Sequence, residues 1–220
     1  MPLDMSKQPE LDLPFESTRA LLTKWHAREP GKTAIVDLDQ NDKSITWGQL
    51  ATEADKVAQF LKDRGVQPGD KVALLSDENI EKLIIWMGIW RYGAAVCPLN
   101  VEMNEVHLVE ILEGIEPALT LWHTDLDGPA MTSGLKTPSL RFAGWDANAD
   151  GNPDADEFFT ALSAYRDGSG TDITSENAAE DLSCIFCTSG TTSKPKSVVY
   201  NHMAYWLNGL NTLDMLGLSE

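Results

Sequence analysis

Residues 80–92, IEKLIIWMGIWRY, are apolar on nearly every face of a helix and end at Gly93. A helix of that kind has no solvent side and must be buried. An apolar strand, Ala94–Cys97, follows at once, and Lys71–Leu75 reads as a strand before it. The alternation continues. Val106, Val109 and Leu112 mark a helix after Asn104. Ala118–Trp122 and Leu140–Trp145 read as strands, Phe158–Tyr165 as a short helix, Leu182–Cys187 as a strand and His202–Leu213 as a helix. Such a chain is expected to be α/β, with a mainly parallel sheet and helices on both faces. Ligands then gather at the carboxyl ends of the strands.

Ahead of this unit, a helix is expected from Ser17, with Leu21, Leu22 and Trp25 on one side. Thr33–Asp37 and Ser44–Thr46 form a hairpin across Gln40–Asp42. Thr46 and Gln49 have capping-box spacing. Behind them Trp47, Leu50, Ala51, Ala54, Val57, Ala58 and Leu61 recur at helical spacing up to Gly65. The Gly/Asp/Asn-rich stretches 145–156 and 166–179 read as surface loops within one domain, and there is no internal repeat.

One loop carries the chemistry. The strand Leu182–Cys187 runs into Thr188-Ser189-Gly190-Thr191-Thr192-Ser193-Lys194-Pro195-Lys196-Ser197. Such a loop offers backbone N–H groups and hydroxyls to one anion, and lysine adds charge. The chain holds 34 acidic residues in 220. An even spread would put about five between Leu182 and Leu213, and there are none. A polyanion site requires that; a buried strand and helix flanking a polar turn would give it too. The loop argues against a Walker A. Pro195 stands where its second glycine should be and has no N–H to give. Val198-Val199-Tyr200 then favour extended chain, where Walker A opens a helix.

The loop resembles the phosphate-binding motif of the adenylate-forming (AMP-binding) enzymes, most like acyl-CoA synthetases. The match lies in Thr188-Ser189-Gly190-Thr191-Thr192, Pro195-Lys196 and Val198, with Ser193 and Ser197 where the family has glycine. Ser44–Leu50, Gly69–Ala73 and Tyr92–Asn100 resemble earlier family segments. The resemblance implies part of the large N-terminal domain of such an enzyme. Residues 1–14 would be a flexible N-terminus, and 15–220 an incomplete AMP-binding domain with its phosphate loop at 188–197. It implies activation of a carboxylic acid by ATP as an acyl-adenylate, then transfer to a thiol, that of coenzyme A. Thr188, Ser189, Thr191 and Thr192 would hold the β- and γ-phosphates. Gly190 would allow close backbone approach, and Lys196 would neutralise leaving-group charge with Mg²⁺. Other catalytic residues are expected beyond residue 220, so the fragment alone is expected to be inactive. A non-catalytic fragment that binds a nucleotide or calcium and acts through a partner stays open as the alternative.

Calcium enters through Asp146, Asn148, Asp150, Asp154 and Glu157, which fall at EF-hand loop positions around Gly151. Pro153 and the strand-like segment before Asp146 argue instead for a solvated loop capping the helix at Phe158. The net charge of −17 argues against nucleic acid and anionic membranes. Met1–Pro14 lacks the apolar core of a secretory signal, and no run approaches a membrane span. The three cysteines, an odd number, fit a reducing cytoplasm. Cys184 and Cys187 spell C-x-x-C, but on a strand they face opposite sides and read as core residues. His202 reads as a helix-start or packing residue, with approach to a nucleotide as the alternative. Oligomeric state is left open.

Overall fold

The computed structural model describes residues 15–103, 105–126, 137–145, 157–170, 172–173, 177–188 and 196–217. The element order is α1 (Thr18–Arg28), β1 (Thr33–Asp37), β2 (Lys43–Thr46), α2 (Trp47–Asp63), β3 (Lys71–Leu75), α3 (Ile80–Tyr92), β4 (Ala95–Leu99), α4 (Glu105–Ile115), β5 (Leu119–His123), β6 (Ser139–Phe142), α5 (Glu157–Leu162), β7 (Leu182–Thr188), β8 (Lys196–Asn201) and α6 (His202–Leu216).

Local sequence sets many of these boundaries. Ser17 caps α1 by accepting from the Ala20 amide at 3.2 Å. Thr46 and Gln49 form the full capping box of α2. Asn79 caps α3, and Gly93 ends it in the left-handed region at φ 94°. The β1–β2 hairpin turns through Asn41 and Asp42, both at positive φ, which these residue types tolerate.

Six strands form one sheet in the order β6-β5-β3-β4-β7-β8, parallel except for β8. The chain moves from β3 to β4 on one side, then crosses back to β5 on the other. Crossovers of one hand must then place α3 and α4 on opposite faces. The core divides accordingly. Val72, Leu74, Val96, Leu121 and Cys184 pack with α2 and α3. Ala73, Leu75, Cys97, Leu99 and Ile185 pack with α4. Cys184 and Cys187 fall on the two different sides, so they share neither a metal nor a disulfide.

Helix α3 is buried almost throughout, charged residues included. Each of its buried charges has a partner. Lys43 Nζ donates to Glu81 Oε1 at 2.8 Å, Lys82 pairs with Glu78, and Arg91 Nε donates to Asp55 Oδ1 at 2.8 Å. Helices α2 and α3 cross closely at Gly88, where an added Cβ would lie 2.3 Å from the Val57 Cβ.

Helix α6 differs from the buried helix that could account for an acid-free window. Only His202 is buried, and Leu213, Met215 and Leu216 are exposed. Met203, Tyr205, Trp206, Leu207 and Leu210 are half-buried, so packing still accounts for part of that window.

Candidate functional site

The parallel strands β3, β4, β5 and β7 end on one edge of the sheet. Connections leaving β3 and β4 go to opposite faces there, the switch point at which open α/β sheets have their ligand crevice. On the far side of β4 stands β7, and its last residue is Thr188. The chain returns as β8, antiparallel, with Lys196 opposite Thr188 and the Thr188 hydroxyl donating to the Lys196 carbonyl at 3.5 Å. The candidate phosphate loop is thus the tip of a hairpin. Among the described residues the chain resumes after the loop as strand β8 and not as a helix. Of the candidates, Thr188 and Lys196 are placed, both exposed, at the base of the tip. Ser189, Gly190, Thr191 and Thr192 lie outside the described residues, as do Ser193 and Lys194. Ser197, where a glycine is usual, is a plain strand residue paired with Cys187.

Sequence reasoning missed the groups at the end of β3. Lys82 is only 5 % exposed, and its Nζ donates to the Ser76 carbonyl at 3.0 Å. Asn79 Nδ2 donates to Ser76 Oγ at 3.0 Å, and Asn79 Oδ1 accepts from the Lys82 amide at 2.7 Å. The set ties the end of β3 to the first turn of α3. Its signal was a lysine three residues after a capping Asn in an otherwise apolar helix.

His202 sits at the wrong end for a phosphate. It opens α6 beside Asp181, while Asn201 pairs with Leu182 at the start of β7. At about 3.3 Å per residue, β7 holds it on the order of 20 Å from Thr188. Its ring packs edge-on to Trp90 at 5.5 Å, and burial pulls its pKa down to about 4 against the opposing charge of Asp181. It is a packing histidine.

Glu157 opens α5, and its carboxylate accepts from the Arg141 amide at 3.0 Å. Asp146, Asn148, Asp150 and Asp154 lie outside the described residues. Among the described residues, no three His, Cys, Asp or Glu side chains group as a metal site. Burial pushes the Cys97 thiol up to about 12 and Cys184 to about 11, so neither is a nucleophile at neutral pH.

A cleft of about 470 Å³ lies among α1, α2 and α3, lined by Thr23, His26, Thr52, Asp55, Arg91 and Gly168. Arg91 lies in the last turn of α3, four residues before β4 begins, which puts the cleft at the amino edge of the sheet, away from Thr188. Burial pushes the Asp55 carboxyl up, against the lowering charge of Arg91. This arrangement is a tied joint between helices.

Comparison with known proteins follows the same outline. The chain is 25 % identical over 193 residues to tyrocidine synthase 3 of Brevibacillus parabrevis, covering 86 % of this chain and 3 % of that protein. Its fold matches VinN in complex with L-aspartate at a TM-score of 0.75 and 21 % identity, covering 92 % of this chain and 52 % of VinN. It matches the anthranilate CoA ligase AuaEII in complex with anthranoyl-AMP at a TM-score of 0.75 and 23 % identity, covering 90 % of this chain and 37 % of that one. The chain therefore spans about half of VinN, 37 % of AuaEII and 3 % of tyrocidine synthase 3. No described helix is long and apolar enough to cross a membrane. The AMP-binding enzyme family matches residues 22–218, a span that takes in the sheet, the crevice and the β7–β8 tip, and the chain belongs to that family.

Proposed function

We propose that residues 15–220 form part of an AMP-binding domain that activates a carboxylic acid with ATP as an acyl-adenylate and passes the acyl group to a thiol, that of coenzyme A. One observation carries the reading: a hydroxyl-rich tip with Lys196 at its base, on the carboxyl edge of the sheet, inside the family match. The acid's carboxylate attacks the α-phosphorus, and the bond to the bridging oxygen breaks with pyrophosphate leaving. The tip holds what leaves. Thr188, Ser189, Thr191 and Thr192 donate hydroxyl and amide hydrogens to the β- and γ-phosphates. Gly190 lets the backbone come close, and Lys196 offsets the growing negative charge. Magnesium carried on the triphosphate supplies further neutralisation.

Two relatives divide on the acid. AuaEII is an anthranilate CoA ligase, and VinN binds L-aspartate. The second favours an amino acid, and a carrier-bound thiol is the alternative acceptor. ATP–pyrophosphate exchange with aryl, fatty and amino acids tests both, using the polypeptide that carries the complete family domain. Exchange with one acid class is expected. No exchange with any class would contradict the reading, and a thioester formed on a carrier protein but not on coenzyme A would move the thiol assignment.

A further inference from the structure

We propose that Lys82 is a second lysine of the phosphate site, an ammonium on the α3 side that Glu78 holds until a polyphosphate takes its place. The inference rests on the polyphosphate reading of the β7–β8 tip and adds a contact to it. Contacts along α3 place the residue. Trp90 Nε1 donates to the Ser183 carbonyl near the start of β7 at 2.9 Å, and the Trp86 ring lies 6.2 Å from that of Phe186. Helix α3 therefore runs opposite to β7, and the stripe from Trp90 through Trp86 to Lys82 climbs towards the carboxyl end of that strand. The step from Trp86 to Lys82 is about 6 Å along the helix. That equals about two strand residues beyond Phe186, which is the level of Thr188.

Strand alternation gives the side. Phe186 packs with the core group of α3, and Cys187 with that of α4. Thr188 then shares the face of Phe186, and so does Lys196, its partner across the antiparallel pair. Lys82, Thr188 and Lys196 thus come to one face at one end of the sheet. The pairing of Lys82 is uneven. Its side chain is 6 % exposed and that of Glu78 is 83 % exposed. Two of its three ammonium hydrogens go to the Ser76 carbonyl and the Glu78 carboxylate. A buried ammonium has to keep a counter-ion. An exposed carboxylate returns to water with little loss. A polyphosphate carries more charge than one carboxylate and is held by Lys196 and the tip hydroxyls as well. It displaces Glu78 and accepts the hydrogen that Glu78 gives up, while the bond to the Ser76 carbonyl keeps Lys82 in place.

Inorganic tripolyphosphate is the probe, titrated into the ¹⁵N-labelled full chain, with amide shifts between Thr188 and Ser197 showing where it lands. Lys82→Met should weaken binding at least about tenfold. Glu78→Gln removes the competing carboxylate and should tighten binding several-fold. Asp77→Asn removes the same charge one residue away and should change it by less than about twofold, because exposed charges are screened. A lysine that only braces the turn predicts the reverse for Glu78→Gln, which would then weaken binding or leave it unchanged. Glu78 is exposed, so its variant reads the exchange even where Lys82→Met fails to fold. Binding at the tip that is indifferent to Lys82→Met, or that is not tightened by Glu78→Gln beyond the effect of Asp77→Asn, would overturn the Lys82 contact alone. Absence of tip shifts in the unmodified chain would overturn this contact and the polyphosphate reading together.

Discussion

Lys196 and His202 bracket one strand and carry opposite expectations. Lys196 is exposed at the carboxyl edge, where an incoming polyphosphate would meet it. Removing one charge-stabilising donor from such a site costs about 10- to 1000-fold in rate, on the order of 1.4–4 kcal/mol. Lys196→Ala in the complete enzyme should slow ATP–pyrophosphate exchange by that range; an unchanged rate would remove Lys196 from the site. His202, at the amino edge, is a stability residue with a pH signature. Its folded pKa of about 4 lies below the ordinary 6.5. Between those values the unfolded chain takes up a proton that the folded chain refuses. The stability His202 contributes is thus intact above pH 6.5 and lost as pH falls towards 4, by up to about 3 kcal/mol in total. Urea midpoints measured from pH 7.5 to 4.5 should show this slope, and His202→Gln should flatten it. Parallel curves for the two proteins would contradict the assignment.

Elements whose ends were written in local chemistry were legible, and those fixed by distant partners were not. The Thr46–Gln49 capping box and Gly93 gave α2 and α3 to within a residue. Strand β6 was placed correctly but ends at Phe142, short of the expected Trp145, because the Trp145 amide donates to Glu81 of α3 instead of to a strand. Strand β8 read only as extended chain, since uniform exposure leaves no alternation to show a sheet edge. The cleft among α1–α3 was invisible because its walls meet only through tertiary packing. Close packing also separates two glycines that look alike in sequence. Gly88→Ala forces a Cβ into Val57 and should destabilise by about 1–3 kcal/mol. Gly114→Ala in α4 meets nothing within 4 Å and should stabilise by about 0.5–1 kcal/mol. Urea unfolding of both variants checks the pair, and equal effects would mean that α2 and α3 do not cross at Gly88.

At the scale of the molecule, the sheet gives its two ends different work. The amino edge is tied by ion pairs and rings around its cleft, with Arg91 held by Asp55 and His202 against Trp90. At the carboxyl edge Thr188 and Lys196 stand exposed at the base of the β7–β8 loop, in the one long acid-free stretch of a chain at −17. The central claim is that ATP's polyphosphate lands on this tip. The most direct measurement is a titration of the ¹⁵N-labelled chain with magnesium-ATP, reading amide shifts residue by residue up to millimolar nucleotide. The expected shifts concentrate between Thr188 and Ser197, with smaller ones at Ser76–Asn79 across the crevice. Shifts confined to Thr23, His26 and Thr52 in the amino-edge cleft, with the tip unmoved, would contradict the claim.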